Sequence, residues 1–201
     1  MNRSAAIAAV DGVAVLFSGM FAGFLTTVLV LEGSLRGFGA QVYTQVRLVE
    51  LEHLDDLATA LLPPAILAAA TVTLVAFRHR ARGRWLALTA VLLLLATLVI
   101  SVSISLPINA DQQNWSVLSP PDDWANVRDR WQLAHVVRTG TSILAFVLLT
   151  AAAMSPAYFS RTIRVVELSS SSTRSDRDRR KSLNDLNPNA FSLKDGSIRF
   201  I

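Results

Sequence analysis

Cysteine is missing altogether from the 201 residues. Its absence excludes disulfides, thiolate metal sites and a cysteine nucleophile, and leaves the compartment open. Charge and aromatic rings are scarce as well, at 17% and 7%, against 52% hydrophobic residues and a mean hydropathy of +0.42. That balance is too apolar for a soluble domain, and the length is short for more than one. Also lacking is the apolar and polar alternation that strands of a membrane barrel need.

What the chain does have is apolar sequence gathered into runs. Gly12 to Leu31, Leu57 to Phe77, Trp85 to Leu106 and Ala134 to Met154 each approach or exceed the ~20 residues with which a helix crosses ~30 Å of hydrocarbon. The expected fold is all-α: a polytopic membrane protein built as a four-helix bundle, with helices near 12–32, 57–77, 85–106 and 123–154. The first run continues past the ~7–15 residues of a signal-peptide core, so it is expected to stay as a helix. Gly19 and Gly23 in SGMFAGF allow a neighbouring helix to approach closely, within the bundle or in a homo-oligomer. Pro63 and Pro64 are expected near a first turn or at a kink in the second helix.

Orientation is read from the arginines. FRHRARGRW carries Arg78, Arg80, Arg82 and Arg84 with no acid, whereas VRLVELEHLDD, read as a link, carries Glu50, Glu52, Asp55 and Asp56. The positive-inside rule then predicts a multi-pass protein of the cell membrane with both termini cytoplasmic and the two longer loops outside. Residues 1–168 form the expected transmembrane domain. From Ser169 to Ile201, serine, charge and asparagine without periodicity predict a disordered basic tail, dispensable for folding. The net charge of +4 comes largely from the arginine link and this tail, so the expected partner is the lipid bilayer and not nucleic acid.

One stretch breaks the apolar pattern. In PDDWANVRDRWQLAHVVRTGTS, Trp124, Arg128, Trp131, His135, Arg138 and Ser142 recur at spacings of four, three, four, three and four, and so share one helical stripe. Read singly, such residues are interfacial anchors or snorkelling cations. Read together, they descend from the surface into the bundle as the wall of a pocket. Arg138 lies inside the apolar run, where lipid exposure costs on the order of 3 kcal/mol, so it should face the bundle and hold a partner, with Glu32 the first candidate and Asp111 the second.

LPIN, a polar loop, and RW followed by His and Arg in RWQLAHVVR make the chain resemble the four-helix membrane proteins of the anthrone oxygenase family. SGMFAGF and YTQVRLVELEHLDDLATALLPPA extend that resemblance over roughly residues 10–153. The resemblance implies an oxygenase with no cofactor that converts an anthrone-like or hydroquinone-like polycyclic substrate with dioxygen. On that reading His135 is the base, since histidine titrates near ~6.5. Arg138 and Arg128 stabilise the anion, Asn109 holds a carbonyl or hydroxyl oxygen, and Trp131 and Trp115 stack on the rings. Two other readings stay open: a non-catalytic protein binding a small ligand, haem or a divalent metal through His53 and His135, and a structural protein that binds a partner through RWQLAHVVR.

Overall fold

The computed structural model describes residues 3–155. Ser169 and the expected tail lie outside the described residues, among which every regular element is helical. Helix α1 spans Arg3–Leu35, α2 Ala40–Arg78, α3 Arg84–Ile100, α4 Leu106–Gln112 and α5 Trp124–Ala153, with a π-helical turn at Ser101–Ser105 joining α3 to α4. Among the described residues, four spans are long and apolar enough to cross a membrane: Ile7–Leu35, Ala40–Arg78, Arg84–Gln112 and Trp124–Ala153. The chain is a multi-pass membrane protein by this architecture.

The π turn has a local cause. Pro107, the second residue of α4, has no N–H to donate and its ring would clash with the carbonyl of Ser103 in a regular α-helix. Widening the turn before it relieves that clash. Of the three serines in ISVSIS, Ser101 donates to the Thr97 carbonyl at 2.7 Å, the backbone bond expected for such residues, and Ser105 is buried.

The chief departure from the sequence reading lies before Leu57. Residues 40–56, read as part of an outer loop because of their charge, form nearly the first five turns of α2. Tyr43, Thr44, Arg47, Glu50 and Leu51 are its buried face there, at the i, i+1, i+4, i+7, i+8 spacing of a helix. The link from α1 shrinks to residues 36–39. Arg47 and Glu50 mark a polar interior there, while Glu52 and Asp56 are exposed. Pro63 and Pro64 fall well inside α2 and not in its first turn.

Helix α1 packs on α2 and α5, and α3 packs on the same two, so the bundle is four-sided with α1 and α3 across from each other. Short links make sequential helices antiparallel. The mid-bundle core joins Phe21, Leu25, Leu94 and Leu149 to Ala65, Ala69, Ala90 and Ala145, whose small side chains let the helices approach.

Gly19 serves that approach. A Cβ there would sit 2.9 Å from a Phe146 ring carbon, whereas one at Gly23 would meet nothing within 4 Å. Gly19→Leu should lower stability by about 1–3 kcal/mol through overpacking against α5, while Gly23→Leu should fall within about 0.5 kcal/mol of the parent. Thermal melting of both in detergent checks the contrast, and equal melting would remove the packing role of Gly19.

Candidate functional site

Buried charges in an apolar bundle persist only where they are paired and hydrogen-bonded, and here they collect at the end of the bundle where α1 stops and α2 begins. Arg47 is at the centre, 3% exposed. Its Nε donates to Gln112 Oε1 at 2.9 Å, Nη1 to Glu50 Oε2 at 2.8 Å and Nη2 to Asn109 Oδ1 at 2.7 Å. Glu32, fully buried, adds an ion pair, with Oε1 3.5 Å from Arg47 Nη1. The planar fork of an arginine suits this divergent set, which a lysine point charge could not hold.

Asn109 links that cluster to α5. Its Oδ1 also accepts from Trp131 Nε1 at 2.7 Å, and its Nδ2 donates to Asp55 at 2.8–2.9 Å. The Arg47 guanidinium lies 3.9 Å from the centroid of the Trp131 ring. Against the same indole, the His135 ring is stacked at 4.8 Å with planes 8° apart. The structure therefore brings Asn109, Trp131 and His135 together and adds four groups that hydropathy did not single out as a site: Glu32, Arg47, Glu50 and Gln112. The helical spacing of Arg47 and Glu50 with Tyr43 was the signal that could have found those two of the four.

His135 is 1% exposed and crosses to α1, where its Nε2 lies 2.9 Å from the Leu25 carbonyl oxygen. A carbonyl only accepts, so Nε2 donates the hydrogen, and the neutral ring carries its lone pair on Nδ1. Nδ1 has no hydrogen-bond partner. A ring oriented by one nitrogen with the other unengaged is the arrangement a general base or a hydrogen-bond acceptor requires.

Between α1 and α5 at this end runs a groove of about 320 Å³, near the lower limit of the ~300–1,000 Å³ usual for small-molecule pockets. Glu32, Gln132 and His135 supply its buried polar wall; Leu29, Leu133 and Val136 its apolar side, the last two well exposed on the outside of the bundle. At its mouth Arg36 donates through Nε to Gln132 Oε1 at 2.6 Å and through Nη2 to Asp129 at 2.9 Å. Gln132 in turn donates to the Glu32 side chain at 2.9 Å and to its main-chain carbonyl at 3.0 Å. An apolar ring system entering from the bundle exterior would meet the polar wall at the inner side.

Along α5 the expected stripe is the inward face: Trp131, His135, Arg138 and Ser142 are all buried. Of the residues expected to form the site, however, only His135 lines the groove. Arg128 lies against Asp129 and 4.9 Å from the Trp124 ring. Trp115 packs with Leu35 and Tyr43 and donates to Asp111 Oδ2 at 3.2 Å. Both side-chain polar atoms of Asn109 are engaged within the protein, as described above.

The expected ion pair of Arg138 does not form. Its Nη1 donates to Ser105 Oγ at 2.8 Å, because the π turn points that hydroxyl at α5, while Glu32 goes to Arg47 and Gln132 and Asp111 goes to Trp115. Arg138 Nε has no hydrogen-bond partner. Ser105→Ala should cost about 1.5–3 kcal/mol, the range for a hydrogen bond to a charged group, and Ser103→Ala, at an exposed position, should cost almost nothing. Melting of the two variants distinguishes them; an unchanged Ser105 variant would mean that Arg138 holds its place by other contacts.

His53 is exposed on α2 and His135 is buried between α5 and α1, so geometry gives the paired-histidine reading no support. Among the described residues, no group of three or more His, Asp or Glu side chains could hold a metal ion.

The anthrone oxygenase family model matches residues 53–148, just under half of the chain. The match runs from a third of the way along α2 to the last third of α5, so it includes Asn109, Trp131, His135 and Arg138 and leaves out α1, Arg47 and Glu50. It is shorter than the span of resemblance read from the sequence motifs. No curated protein and no solved structure matches the chain.

Proposed function

Taking the anthrone oxygenase domain at residues 53–148 as premise, we propose that this membrane protein is an oxygenase that needs no cofactor and acts on an anthrone-like or hydroquinone-like polycyclic substrate held in the groove between α1 and α5. One observation carries the reading: His135 lines that groove with Nε2–H anchored on the Leu25 carbonyl and Nδ1 unengaged.

The chemistry asks little more of the protein. Nδ1 takes a proton from the methylene carbon of the anthrone, and the delocalised anion is electron-rich enough to reduce dioxygen directly. Carbon–oxygen bond formation gives a hydroperoxide; loss of the remaining hydrogen on that carbon with cleavage of the O–O bond releases water and leaves the second carbonyl. One anthrone and one dioxygen thus yield one quinone and one water. Arg36 is the cation on the groove, and Arg138 stands one turn deeper than His135 on α5, so both are candidates to stabilise the anion. Leu29, Leu133 and Val136 offer an apolar substrate an entry from the hydrocarbon. We place the arginine link at Arg78–Arg84 on the cytoplasmic side of the cell membrane, which sets the groove at the outer face.

Membranes containing the chain should consume oxygen when given a panel of anthrones and hydroquinones, with quinone absorbance rising in step. Uptake equal to that of membranes without the protein would reject the oxygenase reading. A non-catalytic ligand-binding role is the second reading, favoured by the way Arg47, Asn109 and Trp131 already engage one another and leave His135 as the one expected site residue on the groove.

A further inference from the structure

Two oxygens of the carboxyl groups around Arg47 have no donor: Glu32 Oε1 and Glu50 Oε1. Neither side chain reaches solvent, Glu32 being fully buried and Glu50 5% exposed. Arg47 Nη1 donates to Glu50 Oε2 at 2.8 Å with Glu32 Oε1 3.5 Å away, so the two carboxyl groups meet on one nitrogen, and the Glu50 side chain is hydrogen-bonded to that of Glu32. A carboxylate only accepts. Two ionised carboxylates therefore cannot make that bond, whereas a carboxylic acid and a carboxylate can.

Charge balance points the same way. Glu32 and Glu50 stand against the single guanidinium of Arg47, and the neighbouring elements supply no second cation to share. Tyr43 on α2 and Asn109 and Gln112 on α4 are uncharged, and the His135 ring on α5 is neutral with its hydrogen on Nε2. Arg36 pairs with Asp129, and Arg138 on α5 has Asp55 on α2 as its counter-charge. An unmatched negative charge buried among these groups is costly.

We propose that Glu32 and Glu50 hold one proton between them at neutral pH, lying between the two Oε1 atoms as a clasp that joins the last turn of α1 to the N-terminal part of α2. A metal ion is the other way to fill two such acceptors, but the Arg47 guanidinium beside both carboxyl groups repels a second cation. A proton instead turns one acceptor into the donor that the other lacks. Its removal sets two like charges on one nitrogen, so the clasp weakens as pH rises. Through the other Glu32 oxygen, which accepts from Gln132 at 2.9 Å, the proton also steadies the wall of the groove. The clasp does not rest on the oxygenase reading.

Infrared spectroscopy tests it, with the full chain isotope-labelled on its glutamate side chains and purified in a detergent free of carbonyl groups. At about pH 7 an ordinary glutamate, with a pKa near ~4.3, is ionised, so the isotope-shifted carbonyl band of a protonated glutamate in the parent reports the pair. Of the four glutamates, Glu52 is exposed and Glu167 lies outside the described residues. The band should vanish in Glu50→Gln and equally in Glu32→Gln, because the acid that remains ionises opposite Arg47 while the new amide donates in place of the proton. A band that survives either substitution overturns the proposal. So does a parent without the band, which needs no variant to fold.

Unfolding by urea gives a second reading. Folding then binds a proton that the unfolded chain, with its glutamates ionised above about pH 5, does not hold, so stability falls as pH rises. The folding constant of the parent relative to Glu50→Gln should drop by about tenfold per pH unit as pH rises from about 5 towards 7. Titration of His135 and of every other shared group cancels in that ratio. A ratio that stays level across the range overturns the clasp.

Discussion

Replacing Arg47 by methionine will cost the fold about 3–5 kcal/mol, the range for removing one partner from a buried ion pair. The side chain is 3% exposed, and its three nitrogens hold Gln112, Glu50 and Asn109, with Glu32 alongside. Methionine would fill much of the volume but leave two buried carboxylates with no cation and two amide oxygens short of a donor. Removing the stranded charges should recover part of the loss, so Arg47→Met combined with Glu32→Gln and Glu50→Gln should melt above Arg47→Met alone. Arg47→Lys should fall between the parent and the methionine variant, because a single ammonium cannot reach three directions. Thermal melting in one detergent compares all four proteins. An Arg47→Met protein melting with the parent would show that the network adds nothing to stability.

The largest effect on turnover should come from His135→Gln. Glutamine can still donate an N–H towards the Leu25 carbonyl and is close in size, so the variant should melt near the parent. What it lacks is a nitrogen lone pair able to take a proton. Loss of a positioned general base is worth roughly a hundredfold to ten-thousandfold, and oxygen uptake should fall by that factor while substrate still binds. Folded His135→Gln protein retaining the parent rate would assign the proton transfer elsewhere. His135→Phe is the control for structure: it loses the Leu25 hydrogen bond as well, and should be less stable than the glutamine variant.

The two halves of the site differed in how far the sequence disclosed them. Trp131, His135, Arg138 and Ser142 lie on one long helix, so the period of α5 places them on a shared face, and the structure buries all four. The four spans were equally open to reading, because long apolar runs fix them without reference to anything else in the chain. Arg47 was not, since a hydropathy window counts a charge as exposure and cannot see hydrogen-bond acceptors 62 or 65 residues away, as Asn109 and Gln112 are. Glu32 was assigned to Arg138 because both stood near the same level of the bundle. Glu32 instead meets Arg47, carried on the extra turns of α2, while Arg138 Nη1 bonds to Ser105.

Gln132 has a consequence for motion. The Glu32 carbonyl to which it donates belongs to the last turn of α1, one of four carbonyls that a helix leaves without a partner in its own backbone. Gln132 thus acts as a C-terminal cap supplied by another helix, and Arg36, just past the last residue of α1 and bonded to Gln132, adds a cation where the helix dipole favours one. Displacing the Gln132 side chain from the wall of the groove uncaps α1. Opening at that rim is then a fraying event confined to one helical turn, of the kind amide hydrogen exchange registers at Glu32–Leu35, and the rest of the four-helix packing need not shift for it to occur.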